Sequence, residues 1–491
     1  MTGGAGAGRE SAPTRCWLFG DQLGPHFTDA PDQPLLLVES RDVLRRRRFH
    51  RQKAHLVLSA MRHRAAEARA AGVDVRYVRA DTYAEALAEV AEPLSVCAPT
   101  SRAADAFVRG LAGVAVLPAR GFVVSREDFA AWAASRGGRR LLLEDFYRTV
   151  RSRTGVLMDG DEPCGGRWNF DADNRLPPPR GRTTLGAPEP WWPSEDDGVR
   201  FLGADGPRRF AVTRDEALAA LERFATERLP LFGPYEDAIM AGDRTMAHSL
   251  LSVPLNLGLL DPYEVVGRAE RAWRDGTAPL QSVEGFVRQL LGWREYVWHV
   301  YWWTPADYRD RNALDAREPV PAWWEDLDAD AVTARCLSAA LRDVREWGWT
   351  HHIPRLMVLG NYALQRGIDP AALTDWFHRA FVDGYDWVMV PNVVGMSQHA
   401  DGGVMATKPY AAGGAYLSRM SDHCRGCAFD PRVRVGPDAC PFTAGYWAFL
   451  HRNREALSGN HRMTQPLRGL DRLVDLDALL EQEVGRGLSP P

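Results

Sequence analysis

Residues 15–40 read RCWLFGDQLGPHFTDAPDQPLLLVES, and the alternation that begins in this stretch decides the fold class. Two short apolar runs, at 16–19 and 35–38, are separated by a segment rich in glycine, proline and aspartate, which are turn residues. Residues 52–71 then place apolar side chains at helical spacing. Further apolar runs follow at 73–78, 94–98 and 114–117. Short strands that alternate with helices predict a doubly wound, parallel α/β sheet.

The carboxyl ends of the predicted strands are the expected place for a ligand of this sheet, because open α/β sheets bind ligands there. In this chain those ends are Gly20-Asp21-Gln22 after the first strand and Glu39-Ser40-Arg41 after the second.

The second half of the chain has helical patterns only. It opens on a capping box, Thr213-Arg214-Asp215-Glu216, and residues 283–303 place Phe286, Leu290, Trp293 and Val297 on one stripe. No run of strands is predicted after Thr213. We therefore predict a disordered tail at 1–14, an α/β domain at 15–145, an interdomain linker at 146–210 and an all-α domain at 211–491.

Composition excludes several classes of function. The 60 Lys and Arg residues nearly balance the 64 Asp and Glu, so any contact with nucleic acid needs a local basic patch. We find no apolar run long enough to span a bilayer and no apolar signal segment at the start, which predicts a cytoplasmic protein without a membrane partner.

Lysine is almost absent: Lys53 and Lys408 are the only two. Drift toward arginine codons explains most of this bias. The two that remain indicate weakly that each position needs an ammonium in place of a guanidinium.

Cysteine spacing predicts a metal centre. Cys424 and Cys427 form a CxxC pair, Cys440 follows, and Cys336 is the only other cysteine of the helical half. Three thiolates at this spacing with a distant fourth favour an iron–sulfur cluster, whereas structural zinc sites usually take two CxxC pairs; zinc and unligated thiols remain alternatives.

The helical half is also rich in tryptophan, since most of the 17 lie at or beyond Trp273. Each one alone is best explained as core. Gly292, inside a predicted helix beside Trp293, indicates the close approach of a ligand. His351-His352 is either a core pair or a proton donor to a bound substrate.

Six motifs in this order, with the cysteine set, resemble the bacterial photolyase/cryptochrome family that carries an iron–sulfur cluster and includes (6-4) photolyases. The resemblance runs from Trp17 to His461. The motifs are Ser59-Ala60-Met61-Arg62, Gly166-Arg167-Trp168-Asn169-Phe170-Asp171, Gly292-Trp293-Arg294-Glu295-Tyr296, His351-His352-x-x-Arg355-Leu356-Met357, Pro391-Asn392-Val393-x-Gly395-Met396-Ser397-Gln398 and Thr407-Lys408-Pro409-Tyr410.

The resemblance implies FAD in the helical domain, a [4Fe-4S] cluster on the four cysteines, and light-driven repair of pyrimidine dimers in UV-damaged DNA by electron transfer from the reduced flavin. It implies that a monomer acts on (6-4) photoproducts. The lesion is extruded into an apolar cavity, as in other base-flipping enzymes. The implied flavin contacts are Ser249, Leu250, Ser252, Asn256, Trp293, Tyr296, Asp386 and Asn392.

Catalytic roles follow from the same resemblance. His352, with His351 beside it, matches the proton donor to the lesion. Trp376 matches a residue next to the flavin and Trp324 one nearer the surface, as steps in reduction of the flavin. Lys408 and Tyr410 match a loop that contacts DNA.

Two further ligands are weaker expectations. The family's α/β domain, called the antenna domain, can hold a lumazine, and the arginine-rich run 41–48 either contacts such an anionic group or is a solvated charge run. Asp171 and Asp173 are either a solvated turn or help to hold a divalent cation such as Mg²⁺.

Two departures keep other functions open. Phe377 stands where a relative has tyrosine, and Met389 where a relative has an acid near the flavin ring. Both favour the alternative of a blue-light photoreceptor cryptochrome with little repair activity. A third reading, a cluster-bearing nucleic-acid-binding module like the C-terminal region of the primase large subunit, is disfavoured by the α/β domain and the flavin motifs.

Overall fold

The computed structural model of the protein describes residues 14–190 and 208–491. Most of the predicted tail, residues 1–13, and the stretch 191–207 of the predicted linker lie outside the described residues.

The N-terminal part is a five-stranded parallel sheet with the strand order β3-β2-β1-β4-β5. This order and the helices between the strands confirm the predicted doubly wound α/β domain. The strands are β1 Arg15–Leu18, β2 Leu35–Ser40, β3 Val75–Ala80, β4 Leu94–Cys97 and β5 Val114–Leu117. The helices are α1 Arg41–Arg46, α2 Arg51–Ala70, α3 Tyr83–Ala88, α4 Arg102–Arg109, α5 Arg126–Ser135 and α6 Leu143–Thr154.

Both faces of the sheet are buried, which explains why its strands are continuous apolar runs. In β1, Cys16 and Leu18 pack in one apolar cluster with Leu56 of α2, while Trp17 packs in a second cluster on the opposite face. Successive side chains of a strand point to opposite faces, so a run with no polar position serves both clusters.

Between the two halves, α6 crosses the predicted boundary at 145, because Phe146, Tyr147 and Val150 face the core. A short antiparallel hairpin follows, β6 Met158–Asp159 with β7 Glu162–Pro163.

The part after residue 208 is helical, as predicted, and the capping box is present: the Thr213 side chain accepts from the Glu216 backbone N–H at 3.2 Å. The helices are α7 Arg214–Arg223, α8 Leu229–Phe232, α9 Ser252–Asn256, α10 Pro262–Arg274, α11 Leu280–Val287, α12 Glu295–Trp303, α13 Ala322–Glu325, α14 Arg335–Trp347, α15 Asn361–Arg366, α16 Pro370–Ala380, α17 Asp386–Val390, α18 Gly414–Met420, α19 Pro441–Arg452, α20 Arg454–Ser458, α21 Thr464–Leu470 and α22 Leu476–Arg486. In the described ranges, four π-helical segments are continuous with an α-helix at one end or both: Phe224–Arg228, Arg288–Arg294, Pro354–Gly360 and Pro391–Ser397. Short 3-10 helices lie at Pro25–Phe27, Cys164–Gly166, Asp171–Asn174, Gly233–Tyr235, Ala306–Asp310, Ala329–Ala331 and His461–Met463.

The helical half docks on the α/β half through the 292–296 motif. The Glu295 carboxylate accepts the backbone N–H groups of Val123 and Val124 at 3.0 and 3.1 Å, and Arg294 donates to the Gly121 carbonyl at 2.9 Å. Burial raises the pKa of Glu295 to about 7.

Lys53 makes a second link between the halves. Its buried ammonium donates to the His378 carbonyl oxygen at 2.6 Å and to that of Gly384, and it lies 4.8 Å from the centre of the Phe49 ring. Burial lowers the pKa of Lys53 to about 7. A compact ammonium fits these two carbonyl groups, consistent with retention of a lysine here.

The segment after β1 packs against the helical half. Leu23 donates its backbone N–H to Leu257 at 3.1 Å, and a Cβ on Gly258 would lie 2.5 Å from the Phe27 ring and 2.8 Å from the Asp21 carbonyl oxygen. At the end of β2, the Arg62 guanidinium donates two hydrogen bonds to the Glu39 carboxylate, at 2.6 and 2.9 Å.

None of the helices in the described ranges is long and apolar enough to cross a membrane.

Candidate functional site

Three histidines form the centre of the candidate site. His351 stacks on His248 with ring centroids 4.5 Å apart, and His352 stands edge-on at 5.4 Å from His248 and 6.0 Å from His351. His352 follows His351 in the segment that leads into the π-helical turn Pro354–Gly360, and His248 comes from the loop before α9. The structure therefore brings the predicted histidine pair together with a third histidine.

Burial differs sharply within this group. His248 and His351 are 8% and 3% exposed, whereas the His352 side chain is 46% exposed. Desolvation and the neighbouring positive groups hold the pKa of His248 and His351 well below the usual range. Only His352 is accessible to a substrate, and its Nε2 lies 3.3 Å from Asp237 Oδ1.

A buried ion pair lies next to this group. Arg355 forms a bidentate contact with Asp383 at 2.9 and 3.1 Å, and Ser252 Oγ donates to the same carboxylate at 2.7 Å. Asn256 donates to the Asp383 backbone carbonyl at 3.0 Å. Two predicted flavin contacts, Ser252 and Asn256, thus converge on Asp383.

Ser249 and Leu250 line a separate cavity whose walls are mostly apolar and which also holds the carboxylates of Glu189 and Glu227. Leu250 has a φ of 59°, in the left-handed region that non-glycine residues seldom adopt. Arg209 and Arg228 line the same cavity. Strained backbone and arginines beside a serine hydroxyl fit the phosphate groups of a dinucleotide such as FAD.

The other predicted flavin contacts are more scattered. Trp293 is half-buried and packs in an apolar cluster with Trp387. Asn392 donates to the Val388 carbonyl at 2.8 Å. Tyr296 lies apart, buried in the α/β interface, where its hydroxyl donates to the Leu141 carbonyl at 3.1 Å.

Asp386 is already engaged by protein cations. His378 Nδ1 lies 2.9 Å from it, and Arg47 and Arg309 lie 3.6 Å away. Burial opposes ionisation, but the His378 hydrogen bond and the two arginines outweigh it, so the pKa of Asp386 is held well below its usual range. Asp386 therefore ties Arg47 of the α/β half to the helical half.

A side chain at position 292 would point at protein. A Cβ at this position would lie 3.5 Å from the Tyr147 ring, an ordinary contact with protein. The glycine therefore faces α6.

An aromatic path leads from the ion pair toward the surface. The Arg355 guanidinium lies 4.3 Å from the centre of the Phe381 ring, and that ring is 5.9 Å from Trp376. Trp376 is 5.5 Å from Trp324, and both are fully buried. We expected Trp324 nearer the surface, but it is the half-buried Trp323, at 5.7 Å, that extends outward.

The loop predicted to contact DNA is exposed at Lys408 and half-buried at Tyr410. Asn460 donates to the Thr407 carbonyl at 2.9 Å and fixes the loop. A cavity of about 640 Å³ lies beside it, with the basic and polar lining residues Arg140, His399, Thr407, Asn460, His461 and Arg462.

The four predicted cluster cysteines line one pocket, and none forms a disulfide. Cys336 is the second residue of α14 and Cys440 is the N-cap residue of α19, and burial raises the pKa of both thiols. Among the described residues, the histidine group alone places three or more metal-binding side chains within 4.8 Å of one another.

The residues proposed for a divalent cation and for an anionic antenna group already form ion pairs within the protein. Asp171 lies 3.3 Å from Arg288 and also pairs with Arg175, and Asp173 lies 2.8 Å from Arg167, so a cation would have to displace arginines. In the basic run 41–48, Arg41 and Arg45 both face Asp81 at 3.1 and 3.6 Å. Such local pairing is typical of a solvated charge run.

Sequence reasoning missed the roles of His248, Asp237 and Asp383. His248 had a signal, since it directly precedes the serines predicted to contact flavin. Asp383 also had one, as an acid three residues before Asp386. Asp237 had none, because its role depends on contact with a histidine far along the chain.

Comparisons with known proteins bear on the family and the fold. The profile of the family described as deoxyribodipyrimidine photo-lyase-related protein matches residues 16–206. A (6-4) photolyase of Agrobacterium fabrum is 40% identical over 479 residues, which cover 91% of this chain and 94% of that protein.

Solved structures give the same fold at low identity. A bacterial class III photolyase from Agrobacterium tumefaciens aligns over 92% of this chain and 99% of its own, with a TM-score of 0.59 and 15% identity. A Synechocystis cryptochrome aligns over 78% of this chain and 82% of its own, with a TM-score of 0.53 and 14% identity.

The fold is therefore that of the photolyases and cryptochromes, and the expected combination of an α/β domain with a helical domain is confirmed. The 40% identity along nearly all of both chains goes further. The chain belongs to the family of DNA photolyases that includes the Agrobacterium fabrum (6-4) photolyase, a family that implies FAD as cofactor.

Proposed function

We propose that this protein repairs UV-damaged DNA in a light-dependent reaction, with the (6-4) photoproduct as substrate. One observation carries the proposal: a half-exposed histidine, His352, is backed by buried His351 in a chain 40% identical to a (6-4) photolyase. Repair of this lesion moves a group between two bases and requires proton transfer, for which histidine is suited near neutral pH.

FAD, when bound and reduced, supplies the light-driven electron for the lesion. Ser249 and Leu250 would hold its phosphates, and the Ser252–Asn256 turn with the Arg355–Asp383 pair would supply further polar contacts. Trp293, Tyr296, Asp386 and Asn392 complete the proposed contact set. Of these, Tyr296 and Asp386 have least support, because protein groups already engage them.

His352 is the proposed proton donor to the lesion. Its ring is accessible, and the Asp237 carboxylate 3.3 Å from Nε2 orients it. His351 is buried behind it and limits its movement. Asp237 acts through His352 and is a positioning residue.

Electrons reach the flavin site, we propose, through Trp323, Trp324 and Trp376 in that order from the surface. Successive rings are 5.7 and 5.5 Å apart. Each ring gives up one electron inward and regains one from its outer neighbour, and an external reductant such as a thiol or ascorbate restores Trp323.

The extruded lesion needs DNA held beside His352. Lys408, exposed on its loop, suits a phosphate contact, and Tyr410 is half-buried nearby. Arg462 contacts Thr407 and extends the basic character of this surface.

The four cysteines hold a [4Fe-4S] cluster in this proposal. A tetrahedral zinc site with Zn–S bonds of ~2.3 Å would bring its sulfurs to about 3.8 Å from one another. Structural zinc sites usually take two CxxC pairs, whereas this chain offers one such pair with two distant cysteines in the same pocket, which favours the cluster.

The alternative is a photoreceptor with the same cofactors. Phe377 is buried, stacks on Phe381 at 5.2 Å and offers no phenol to the electron path, and Met389 is buried in the same apolar cluster. Repair assays on defined lesions decide between the two functions, since the photoreceptor would show flavin reduction in light without turnover of any dimer.

A further inference from the structure

The cavity of about 640 Å³ beside the Thr407–Tyr410 loop is not used by the proposed flavin contacts or by His352. It lies where three parts of the chain meet: the segment before α6, the loop 399–407, and the end of α20 with the 3-10 helix His461–Met463. Small-molecule sites have volumes of ~300–1,000 Å³, so this cavity has room for a ligand the size of a nucleotide.

The polar side chains that line this cavity are basic or neutral. They are Arg140, His399, Thr407, Asn460, His461 and Arg462, and none of the described lining residues carries a carboxylate. Both arginines are exposed. Each contacts the protein through one guanidinium nitrogen, Arg140 at the Gly403 carbonyl and Arg462 at the Thr407 hydroxyl. Because a guanidinium has five N–H donors, each arginine keeps donors for an anion.

Asp401, an acid of the adjoining loop, is buried and already paired. Its carboxylate accepts the backbone N–H groups of Gly403 and Met405, each at 2.8 Å, and the Tyr308 hydroxyl at 2.8 Å. These hydrogen bonds satisfy the carboxylate and fix the shape of the loop. The cavity is therefore formed before any ligand arrives, which lowers the entropy cost of binding.

The remaining lining is largely apolar and includes Leu314 and Leu457 with the smaller Ala313 and Ala456. Apolar side chains next to two arginines match the two chemical parts of a nucleotide, because a base has apolar faces and a phosphate is an anion that guanidinium groups bind well. An inorganic anion would use the arginines alone and leave the apolar part of the cavity empty.

The cavity adjoins the proposed DNA contact, since Thr407 lines it and the exposed Lys408 is the next residue. Taking DNA as the partner, as the proposed function does, we propose that the cavity binds one unpaired nucleotide of the strand, with its phosphate on Arg140 and Arg462 and its base against the apolar lining. The nucleotide is unpaired because a base that entered the recess would have to leave its partner strand.

The test is binding of an undamaged single-stranded oligothymidine to the full-length, cofactor-loaded protein in the dark, measured by fluorescence anisotropy at several salt concentrations. The double variant Arg140→Gln with Arg462→Gln removes both proposed phosphate contacts. Its affinity should fall at least about tenfold, and its slope of log K against log salt should decrease by about 1.4, because each contact to a single strand contributes ~0.7. The corresponding double lysine variant keeps both charges and should keep the wild-type slope.

A steric variant tests entry into the cavity without a change of charge. Gly459 lines the cavity, its φ of −74° suits any residue, and a Cβ there would meet no atom within 4 Å. Gly459→Trp should therefore occupy the cavity and weaken oligothymidine binding severalfold. The control is Arg109→Gln, which removes an exposed arginine of α4 outside the cavity and should bind like the wild type.

Wild-type affinity and salt slope in the double glutamine variant, or wild-type affinity in Gly459→Trp, would overturn the proposal. Displacement of the oligonucleotide by an equal concentration of thymidine monophosphate would assign the cavity to a free nucleotide and also overturn it. The repair proposal fails separately: binding that these variants weaken, without light-driven repair of any lesion, would contradict the proposed function and leave the nucleotide site in place.

Discussion

Trp324 and Trp376 lie edge to face with ring centroids 5.5 Å apart, and neither is more than 1% exposed. A pair sealed in this way cannot exchange electrons directly with a reductant in solution. The neighbouring ring of Trp323, half-buried and 5.7 Å from Trp324, provides the outward step.

Replacement of Trp323 by Phe should therefore slow light-driven reduction of the flavin severalfold or more, because phenylalanine is much harder to oxidise than tryptophan. The measurement is the loss of the oxidised-flavin absorption under blue light with ascorbate present. Trp303→Phe is the matched control, since Trp303 is 50% exposed at the end of α12 and lies outside the path. Equal rates in Trp323→Phe and wild type would show that electrons enter elsewhere.

The buried Arg355–Asp383 pair should matter for both stability and flavin content. Asp383→Ala leaves the guanidinium without its carboxylate, which for a buried pair costs about 3–5 kcal/mol. It also removes the acceptor of the Ser252 hydrogen bond. Thermal unfolding and the flavin-to-protein absorption ratio both report the loss.

The comparison for that substitution is Asp375→Ala, which breaks a partly exposed pair with Arg379. Exposed pairs contribute up to about 1 kcal/mol, so this variant should unfold close to the wild type. Similar losses in the two variants would contradict the role given to Asp383.

His352→Ala should lower the repair rate by about 10²- to 10⁴-fold, the usual contribution of a general acid. Flavin binding should be unchanged, because His352 is half-exposed. His451→Ala, which removes an exposed histidine of α19, provides the control for loss of an exposed imidazole away from the site. Full repair by the His352 variant would exclude it as the proton donor.

Acid should destabilise the protein through His248 and His351. Burial holds the pKa of both well below the usual range, so below about pH 6.5 the unfolded chain binds protons that the folded protein does not. The free energy of unfolding therefore falls by about 1.4 kcal/mol per pH unit for each histidine until its folded-state pKa is reached.

The same slope should be shallower in His248→Phe, which has one such group fewer. Denaturant unfolding at several pH values between 7 and 5 measures it, and parallel profiles for the two proteins would contradict the account. The charged and titratable groups around the pair are His352, Arg228, Arg355, His423, Glu236 and Asp237.

Removal of a proposed cluster ligand should impair folding of the protein. Cys336 belongs to α14, and its neighbour Arg335 contacts the Arg425 carbonyl between the two cysteines of the CxxC pair. Cys336→Ala should therefore lose iron and become insoluble, since cluster binding and folding are coupled. The control is Cys97→Ala, which replaces a buried thiol of the sheet. This variant should retain the iron content of the wild-type protein. A soluble, flavin-loaded Cys336 variant would show that the cluster is not structural.

Local patterns predicted most of the fold. The apolar runs correctly predicted strands β1 to β5, and the Thr213 capping box correctly predicted the start of α7. Both patterns depend only on residues that are neighbours in the sequence. Contacts across the two halves carried no such signal. Glu295 looked like part of a ligand motif, yet it accepts backbone N–H groups of Val123 and Val124, which lie far away in the chain.

The site was predicted in part for the same reason. His351 and His352 are adjacent in sequence, and the cysteines have recognisable spacing. His248 joins the histidine pair only because a loop of the helical half folds back on it, and Asp383 gains its role from Arg355. Trp323 could not be separated from Trp324 until their burial was known.

The most direct test of the central claim is blue-light treatment of two DNA oligonucleotides, one with a single (6-4) photoproduct and one with a cyclobutane dimer. Purified protein is used with a reductant, and a dark sample serves as the control. We predict that the (6-4) lesion is restored to the original bases in light only. Flavin reduction in light without repair of either lesion would contradict the claim and favour a photoreceptor.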